Sequence, residues 1–265
     1  MTDIKTGCIS WTYPDWVDSF YPAKAKSTDF LSLYSRVFNI VEVDSSFYRS
    51  PTLSTMKQWK EKTPESFLFT LKMPKRITHE LRLVGAQKEF DYFQNVAKIL
   101  GTKLAAVMVQ LPPFLKYSGP TLETLDNFLS STDPAIRYAI EFRNKSWFND
   151  ETYALLRSRN VCFVWSVNEY LEEMPKEVTT NLIYLRFLGE FGKSKKLNKI
   201  QIDRSELLRE WWNNLSEVLS KIDRAYVLVS NHFAGYAPET VNQFRALAGL
   251  EKVNWGSAMQ SGTLH

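Results

Sequence analysis

The sequence predicts an α/β fold: a single (β/α)8 TIM-type barrel of parallel strands joined by helical crossovers. Eight short runs rich in β-branched and aromatic residues are spread almost evenly along the 265 residues. Helix-like segments lie between these runs, an alternation typical of parallel sheets. Eight such units in about 250 residues match the size of a closed barrel. An open, doubly wound sheet is the alternative, which the absence of a glycine-rich dinucleotide turn after the first run disfavours.

The predicted strands follow from local apolar runs in which successive side chains point to opposite faces of a sheet. In chain order they are Thr6–Trp11, Ile40–Tyr48, Leu68–Pro74, Ala105–Pro112, Arg137–Arg143, Val161–Ser166, Leu182–Leu188 and Ala225–His232.

Apolar residues at helical spacing predict helices between several of these strands. The spacing is clear over Thr28–Phe38, with its first residue as the cap, and over Phe90–Leu100. Asp203–Glu206 has the pattern of a capping box and predicts a helix that continues to about Ile222. Pro238 is well placed to begin the last helix.

The composition is that of an ordinary packed protein, with 44% hydrophobic and 23% charged residues. We expect residues 1–255 to form one domain and residues 256–265, which lack periodicity, to form a flexible tail. The sequence has neither a signal-peptide pattern nor an apolar stretch that could span a membrane, so we expect a cytoplasmic protein with no membrane partner. Cys8 and Cys162 lie in strand-like runs and are expected to be reduced. The net charge of +4 is compatible with an anionic partner.

Polar residues recur on one face of the predicted strands, close to their carboxyl ends. In the second run Val41 and Val43 face one way, and Glu42, Asp44 and Ser46 face the other. A lone buried charge costs several kilocalories per mole, so such side chains need polar partners. The carboxyl ends of the strands carry the active site in TIM barrels, so we expect one shared polar site there. The same face of the other runs carries Lys72, Gln110, Glu141, Arg143, Ser166 and Arg186.

The carboxylates give the strongest candidates for catalysis. Glu42 and Asp44 would lie about 7 Å apart on one face of a strand, a spacing that suits acid and base roles. Glu141 is a second candidate for a general acid or base. The alternative is a structural role for all three carboxylates. Glu42 and Asp44 would form ion pairs with Lys72, and Glu141 would belong to a salt-bridge network with the arginines. A magnesium ion held by these three carboxylates is a minor alternative, and no cofactor or metal is predicted.

The candidates for substrate binding are mostly cations, amides and aromatic residues. Arg143 could grip a phosphate or carboxylate with two hydrogen bonds. His232 follows Asn231 at the end of the eighth run and is a further candidate for proton transfer, although a structural hydrogen bond explains it equally well. The full set predicted to bind substrate is Lys72, Arg143, Arg186, Asn231, Trp11, Tyr48, Gln110 and Trp147.

Two predicted loops are basic and would border the site. One is Pro74–His79, and the other runs from Gly189 to Gln201 with four lysines. These loops could contact nucleic-acid phosphates, or simply be solvated and mobile. The four lysines are Lys193, Lys195, Lys196 and Lys199.

The ordered motifs of the chain resemble the YecE-like family, catalogued as domain of unknown function number 72. The resemblance covers nearly the whole chain and implies a TIM barrel with a pocket made by the motif residues. It implies no reaction, because the family has no settled one. The motifs are Gly7–Trp11, Trp16, Phe20–Pro22, Val41–Tyr48, Phe69–Pro74, Ile77–His79, Gln110–Phe114, Glu141–Arg143, Ser146–Trp147 and Asn231–His232.

The chain departs from the family pattern at three places. Asn144 and Leu188 stand where the family usually has histidine, and Ser230 stands where it usually has asparagine. These departures weaken any mechanism built on a histidine relay or a metal.

Three functions remain open on the sequence alone. The first is an enzyme of the hydrolase, lyase or isomerase class acting on a small anionic or sugar-like substrate. The second is a nucleic-acid-binding protein distantly like endonuclease barrels, and the third is a ligand-binding barrel without turnover. Fold alone decides none of them, because TIM barrels carry many chemistries.

Overall fold

The computed structural model describes residues 2–168, 171, 173–190, 192–193 and 195–260. Eight parallel strands follow one another around a closed barrel, and the first strand pairs with the last. The predicted fold class is therefore confirmed. The strands are β1 (Asp3–Ile9), β2 (Ile40–Val43), β3 (Leu68–Lys72), β4 (Leu104–Leu111), β5 (Tyr138–Phe142), β6 (Cys162–Val167), β7 (Leu182–Phe187) and β8 (Arg224–Val229).

Helices surround the barrel and cover most of the strands' outer faces. They are α1 (Phe30–Tyr34), α2 (Ser45–Tyr48), α3 (Leu53–Glu61), α4 (Gln87–Ala97), α5 (Gly119–Ser130), α6 (Asp150–Ser158), α7 (Ser205–Ser216), α8 (Asn231–Ala234), α9 (Ala237–Leu247) and α10 (Trp255–Gln260). Short 3-10 segments occupy Pro14–Trp16, Lys98–Lys103, Lys145–Trp147 and Leu219–Lys221, and a π-helical turn occupies Arg76–Glu80.

Two predicted strands are too long, because each continues through a short helix. Residues 44–48 belong to the loop and to α2, where the Ser46 hydroxyl donates to the carbonyl oxygens of Val43 and Lys72 at 2.7 Å each. Residues 231 and 232 belong to α8, whose N-cap Ser230 accepts a hydrogen bond from the backbone N–H of His232. Serine side chains that bond the local backbone favour helix starts and turns over strands.

Two predicted helices also begin or end elsewhere. The segment expected over Thr28–Phe38 contains only α1, whose start has no side-chain cap. The predicted capping box at Asp203–Glu206 does not form, since Asp203 instead accepts from the backbone of Ser205, and α7 ends at Ser216. Pro238 lies in the first turn of α9, as predicted.

One predicted crossover contains no helix among the residues that the structure describes. The described residues of the segment between β6 and β7 make hydrogen bonds to β6, the strand before it. The Trp165 indole N–H donates to the carbonyl of Glu177 at 2.9 Å, and the backbone N–H of Phe163 donates to the hydroxyl of Thr179 at 2.8 Å. These bonds give hydrogen-bond partners to two buried N–H groups of β6.

The core has two layers. The inner layer fills the barrel with residues such as Met108, Val164, Tyr184 and Leu228, and the outer layer lies between the strands and the helices. This division follows the alternation of side chains along each strand, so even a fully buried strand has one face in each layer.

The strand pairings divide the barrel into two halves of four strands. Six positions pair between β1 and β8 and six between β7 and β8. Only two positions pair between β1 and β2, and only two between β5 and β6. One half is therefore β2–β5, and the other is β6–β8 together with β1.

The C-terminal segment differs from the predicted tail over its first residues. Trp255–Gln260 form α10, and the Trp255 indole N–H donates to the carbonyl of Ser19 at 2.9 Å. The remainder of the predicted tail, residues 261–265, lies outside the described residues. Across the described part of the chain, no helix is long and apolar enough to cross a membrane.

Candidate functional site

The deepest polar contacts cross the interior of the barrel between strands that are not neighbours. Arg186 of β7 binds both carboxylate oxygens of Glu42 on β2, with Nη2–Oε1 at 2.6 Å and Nε–Oε2 at 3.0 Å. Tyr184 donates its hydroxyl to Glu42 Oε2 at 2.7 Å and lies 2.7 Å from the hydroxyl of Thr70. All four side chains are buried. Of the inward polar residues that the sequence analysis expected to share one site, Glu42 and Arg186 are therefore in contact.

Glu141 extends this chain of charges. Its Oε2 accepts from Nη1 of Arg186, and its Oε1 accepts from Nε of Arg143. We call Glu42, Glu141, Tyr184 and Arg186 the buried network. Its charges alternate from carboxylate to guanidinium, so each buried charge has an opposite partner in contact.

The pKa of Glu141 shows that the ion pairs dominate its environment. Burial alone would raise the pKa of this carboxyl group, but the guanidinium groups of Arg143 and Arg186 outweigh burial and lower it to about 2. For Arg186, burial would lower the pKa, but Glu141 and Glu42 outweigh it and raise the pKa above its ordinary value. A carboxylate that stays ionised at neutral pH is a poor proton donor and a weak base. The structural interpretation of Glu141 is therefore favoured over the catalytic one.

A second group of polar side chains lies nearer to solvent at the carboxyl ends of the strands. We call Asp44, Lys72, His79, Gln110 and Arg143 the mouth. Lys72 Nζ lies 3.0 Å from Asp44 Oδ1 and 4.1 Å from the centre of the Phe47 ring. The side chains of Lys72 and Asp44 are 10% and 33% exposed, and that of Arg143 is 13% exposed. Arg143 Nη2 lies 3.5 Å from Gln110 Oε1.

His79 is a mouth residue that was not among the predicted site residues. It lies on the π-helical turn after β3, and its ring packs edge-on against Phe47 with the ring centres 5.0 Å apart. Burial, then the charges of Lys72 and Arg143, lower the pKa of His79 to about 4. The sequence signal was its position in a basic loop that follows a strand, where TIM barrels place functional residues.

Two tryptophans predicted to bind substrate pack elsewhere. The ring of Trp11 meets Trp59 of α3 edge-on, with the ring centres 5.4 Å apart. Trp147 stacks on Phe142 and donates its indole N–H to the carbonyl of Leu115 at 2.8 Å. Both belong to the outer core layer. Tyr48 lies on α2 and is 72% exposed.

Asn231 and His232 lie on α8, beyond the end of β8. The side-chain oxygen of Asn231 accepts from the indole of Trp16 at 3.2 Å and from the backbone N–H of Ala237 at 2.8 Å. Asn231 is fully buried and connects the loops after β1 and β8. His232 is half-buried, and burial lowers its pKa.

The described residues contain no group of three or more histidine, cysteine, aspartate or glutamate side chains that could hold a metal ion. The three carboxylates considered for magnesium each contact a cation. Glu42 and Glu141 contact Arg186, and Asp44 contacts Lys72.

Two adjoining surface cavities of about 200 and 290 Å³ lie outside the mouth. Both are lined by Leu83, Val84 and Thr124, in a groove between the loop before α4 and helix α5. They contain none of the mouth residues, so the polar site and this apolar groove are separate features.

The family model described as "Protein of unknown function DUF72" matches residues 5–262. The chain belongs to the DUF72 family. This DUF72 chain is 27% identical over 259 residues to the UPF0759 protein YunF of Bacillus subtilis, which covers 88% of this chain and 92% of that protein. It is 28% identical over 146 residues to the UPF0759 protein YecE of Escherichia coli, which covers 55% of this chain and 50% of that protein.

A solved DUF72 structure from Thermotoga maritima has the same fold. It superposes on this DUF72 chain with a TM-score of 0.79 at 27% identity, and the match covers 93% of this chain and 99% of that one. The predicted family is therefore confirmed, and with it the barrel. Membership of the family does not identify a reaction, because the family's own description names none.

Proposed function

We propose that this DUF72 chain is an enzyme of the hydrolase, lyase or isomerase class that acts on a small anionic or sugar-like substrate in the mouth. One observation supports the proposal above the others. Lys72 and Arg143 lie on the solvent side of the barrel opening, whereas Glu42 and Glu141 are fully buried. An approaching anion would therefore meet Lys72 and Arg143 before it meets Glu42 and Glu141, and the one carboxylate of the mouth, Asp44, is paired with Lys72.

Four mouth residues and His232 have roles in this proposal. Lys72 and Arg143 bind the anionic group, and Gln110 beside Arg143 accepts or donates a hydrogen bond to a hydroxyl. Asp44 and His232 are the partly exposed groups from the sequence analysis that could transfer a proton. Glu42 and Glu141 would hold Arg186 in place, a supporting role in place of the catalytic one given by the sequence.

Nucleic-acid binding is the second candidate, and the basic loops favour it. Lys195, Lys196 and Lys199 are exposed on the segment between β7 and α7. Two backbone bonds hold that segment: Leu197 N–H donates to Asp15 at 2.9 Å and Gln201 N–H donates to Ala234 at 2.8 Å. The lysines thus project from an anchored segment, which suits contacts with phosphates.

For the compartment, we propose the cytoplasm. Cys8 and Cys162 are both free and buried, and burial raises the pKa of each thiol. Unpaired core cysteines are ordinary in a reducing compartment.

A thermal-shift screen tests the proposed site. The panel contains phosphosugars, small carboxylates and short oligonucleotides, each with and without magnesium. We expect a small anion to raise the Tm of the wild-type protein, and the shift to be lost in Lys72→Ala and Arg143→Ala. The matched control is Lys98→Ala, which removes a lysine paired with Asp133 at 2.8 Å near the amino ends of β4 and β5.

The remaining outcomes separate the three functions. A shift produced only by oligonucleotides, and weakened by added salt, would favour nucleic-acid binding. Binding of a small anion without conversion of any compound of its class would favour a ligand-binding barrel. An equal loss of binding in Lys98→Ala would contradict the assignment of the mouth.

A further inference from the structure

His79 is held firmly at the edge of the mouth. Its ring packs against Phe47, and its Nδ1 lies 2.8 Å from the hydroxyl of Thr78. Thr78 is itself fully buried, so the contact fixes the ring against the body of the protein. The contact with Thr78 uses Nδ1 and does not involve the second ring nitrogen, Nε2.

The charges around His79 come from three elements. Lys72 of β3 shares the Phe47 ring with it, at 4.1 Å from the ring centre. Arg143 follows β5, and Lys75 precedes the turn that carries His79. The carboxylates are Asp44, which pairs with Lys72, and Glu80, which pairs with Arg76 at 3.1 Å and lies 3.8 Å from Lys75.

These surroundings make His79 neutral in the empty mouth. Burial is the largest cause of its lowered pKa of about 4, followed by Lys72, Arg143 and Lys75, while Glu80 acts in the opposite direction. The effect of burial on the pKa of His79 is set by the fold, whereas the effect of the cations on it depends on which charges lie beside them. An anion bound to Lys72 and Arg143 would cancel part of their positive potential and raise the pKa of His79.

We propose that His79 is the proton-transfer residue of the mouth, and that an anion arriving on Lys72 and Arg143 causes it to take up a proton. The inference rests on the proposed function and deepens it by naming the acid. The proton comes from solvent and produces an imidazolium next to the bound anion. When the imidazolium donates that proton to an oxygen of the substrate, His79 returns to its neutral form.

This coupling has a direction that can be measured. Because the pKa of His79 is higher in the bound state, the affinity for an anion increases as pH falls from about 7.5 to 5. If the anion restored the ordinary pKa of about 6.5, the increase would be up to about thirtyfold over that range. If the anion raises the pKa of His79 by less, the affinity still increases as pH falls, but by a smaller factor.

Sulfate is a suitable probe, since it stays a dianion throughout this pH range and contributes no titration of its own. Isothermal titration calorimetry at pH 5.5, in two buffers of different ionisation enthalpy and at constant ionic strength, counts the protons taken up. We expect uptake of a fraction of one proton in the wild type, because burial persists in the bound state, and none in His79→Gln, which still binds sulfate. The histidine signals in an NMR pH titration give a second readout. The His79 signal should titrate at higher pH with sulfate, and the His232 signal should not move.

The outcomes distinguish this inference from the proposed function. Sulfate that binds the wild type but not Lys72→Ala, without proton uptake and with an unchanged His79 titration, would overturn the role of His79 and leave the anion site standing. Sulfate that leaves the wild type unaffected at every pH would overturn the anion site and this inference together. Proton uptake that persists in His79→Gln would assign it to another group.

Discussion

At the scale of single residues, the sequence identified three members of the buried network, Glu42, Glu141 and Arg186, and part of their pairing, since a salt-bridge network of Glu141 with the arginines was the structural alternative. The alternation of side chains along a strand placed Glu42, Glu141 and Arg186 in the barrel interior, because that period is a property of the backbone. The structural alternative paired both Glu42 and Asp44 with Lys72 on the adjacent strand; Asp44 does contact Lys72, whereas the observed partner of Glu42 is Arg186 on β7. Partners across a closed barrel depend on its tilt and stagger, which no local pattern contains.

Glu141→Gln tests the buried network through its dependence on pH. The pKa of Glu141 falls from an ordinary 4.5 to about 2 on folding, so its ionised form stabilises the protein above pH 4.5 and this stabilisation is lost as pH falls towards 2. We expect the variant to be less stable than the wild type at pH 7, with the difference shrinking by about 3 kcal/mol by pH 2. Urea unfolding at several pH values measures it. A difference that stays constant over the range would contradict the ion pairing.

His79 shows why one mouth residue escaped prediction from the sequence. Its role depends on Lys72 and Phe47, which lie on different elements and meet only in the fold. A histidine in a basic loop carries no sign of that proximity. The sequence indicated the loop that contains His79 and did not assign this residue to the site.

At the scale of elements, the middles of the strands were predictable and their ends were not. The run from Ile40 to Tyr48 is rich in β-branched and aromatic residues, yet only Ile40–Val43 form a strand. The helix that follows is fixed by Ser46, which bonds backbone carbonyls of two strands. Composition records the preference of each residue for a strand, whereas the end of the strand depends on contacts made after folding.

Gly189, just after β7, illustrates such a contact. A Cβ placed on it would lie 1.8 Å from the carbonyl oxygen of His232, so the loop after β7 passes the start of α8 at a distance that only glycine permits. We expect Gly189→Ala to lower the free energy of unfolding by about 1–3 kcal/mol, measured by urea denaturation.

The control for this change is Gly119→Ala at the start of α5. No atom lies within 4 Å of a Cβ at that position, and alanine favours helices, so we expect unchanged or slightly higher stability. Equal effects of the two substitutions would mean that the contact with α8 does not limit the loop.

At the scale of the whole molecule, the eight strands and their parallel order were predictable from the sequence. The uneven number of paired positions between neighbouring strands was not. The count follows from repeated strand and helix patterns along the chain. The division into two half-barrels follows from the two short seams, β1–β2 and β5–β6. The buried network crosses both halves, since Glu42 and Glu141 belong to one and Arg186 to the other.

Native-state hydrogen exchange tests this division. We expect backbone N–H groups bonded across β1–β2 and β5–β6 to exchange through openings of lower free energy than those across β7–β8 and β1–β8. Arg186→Met should lower the opening free energy at the two seams more than elsewhere, because it removes the contact that joins the halves. Uniform protection of all eight strands would argue for a single cooperative barrel.

The pairing of the first strand with the last has a consequence for synthesis. β1 leaves the ribosome first, yet most of its partner positions lie on β8, which is made last. A growing chain therefore carries an open edge on β1, and a second on β7, until residue 229 has emerged. Interrupted products would expose both edges, and an unpaired strand edge is a template for pairing with other chains.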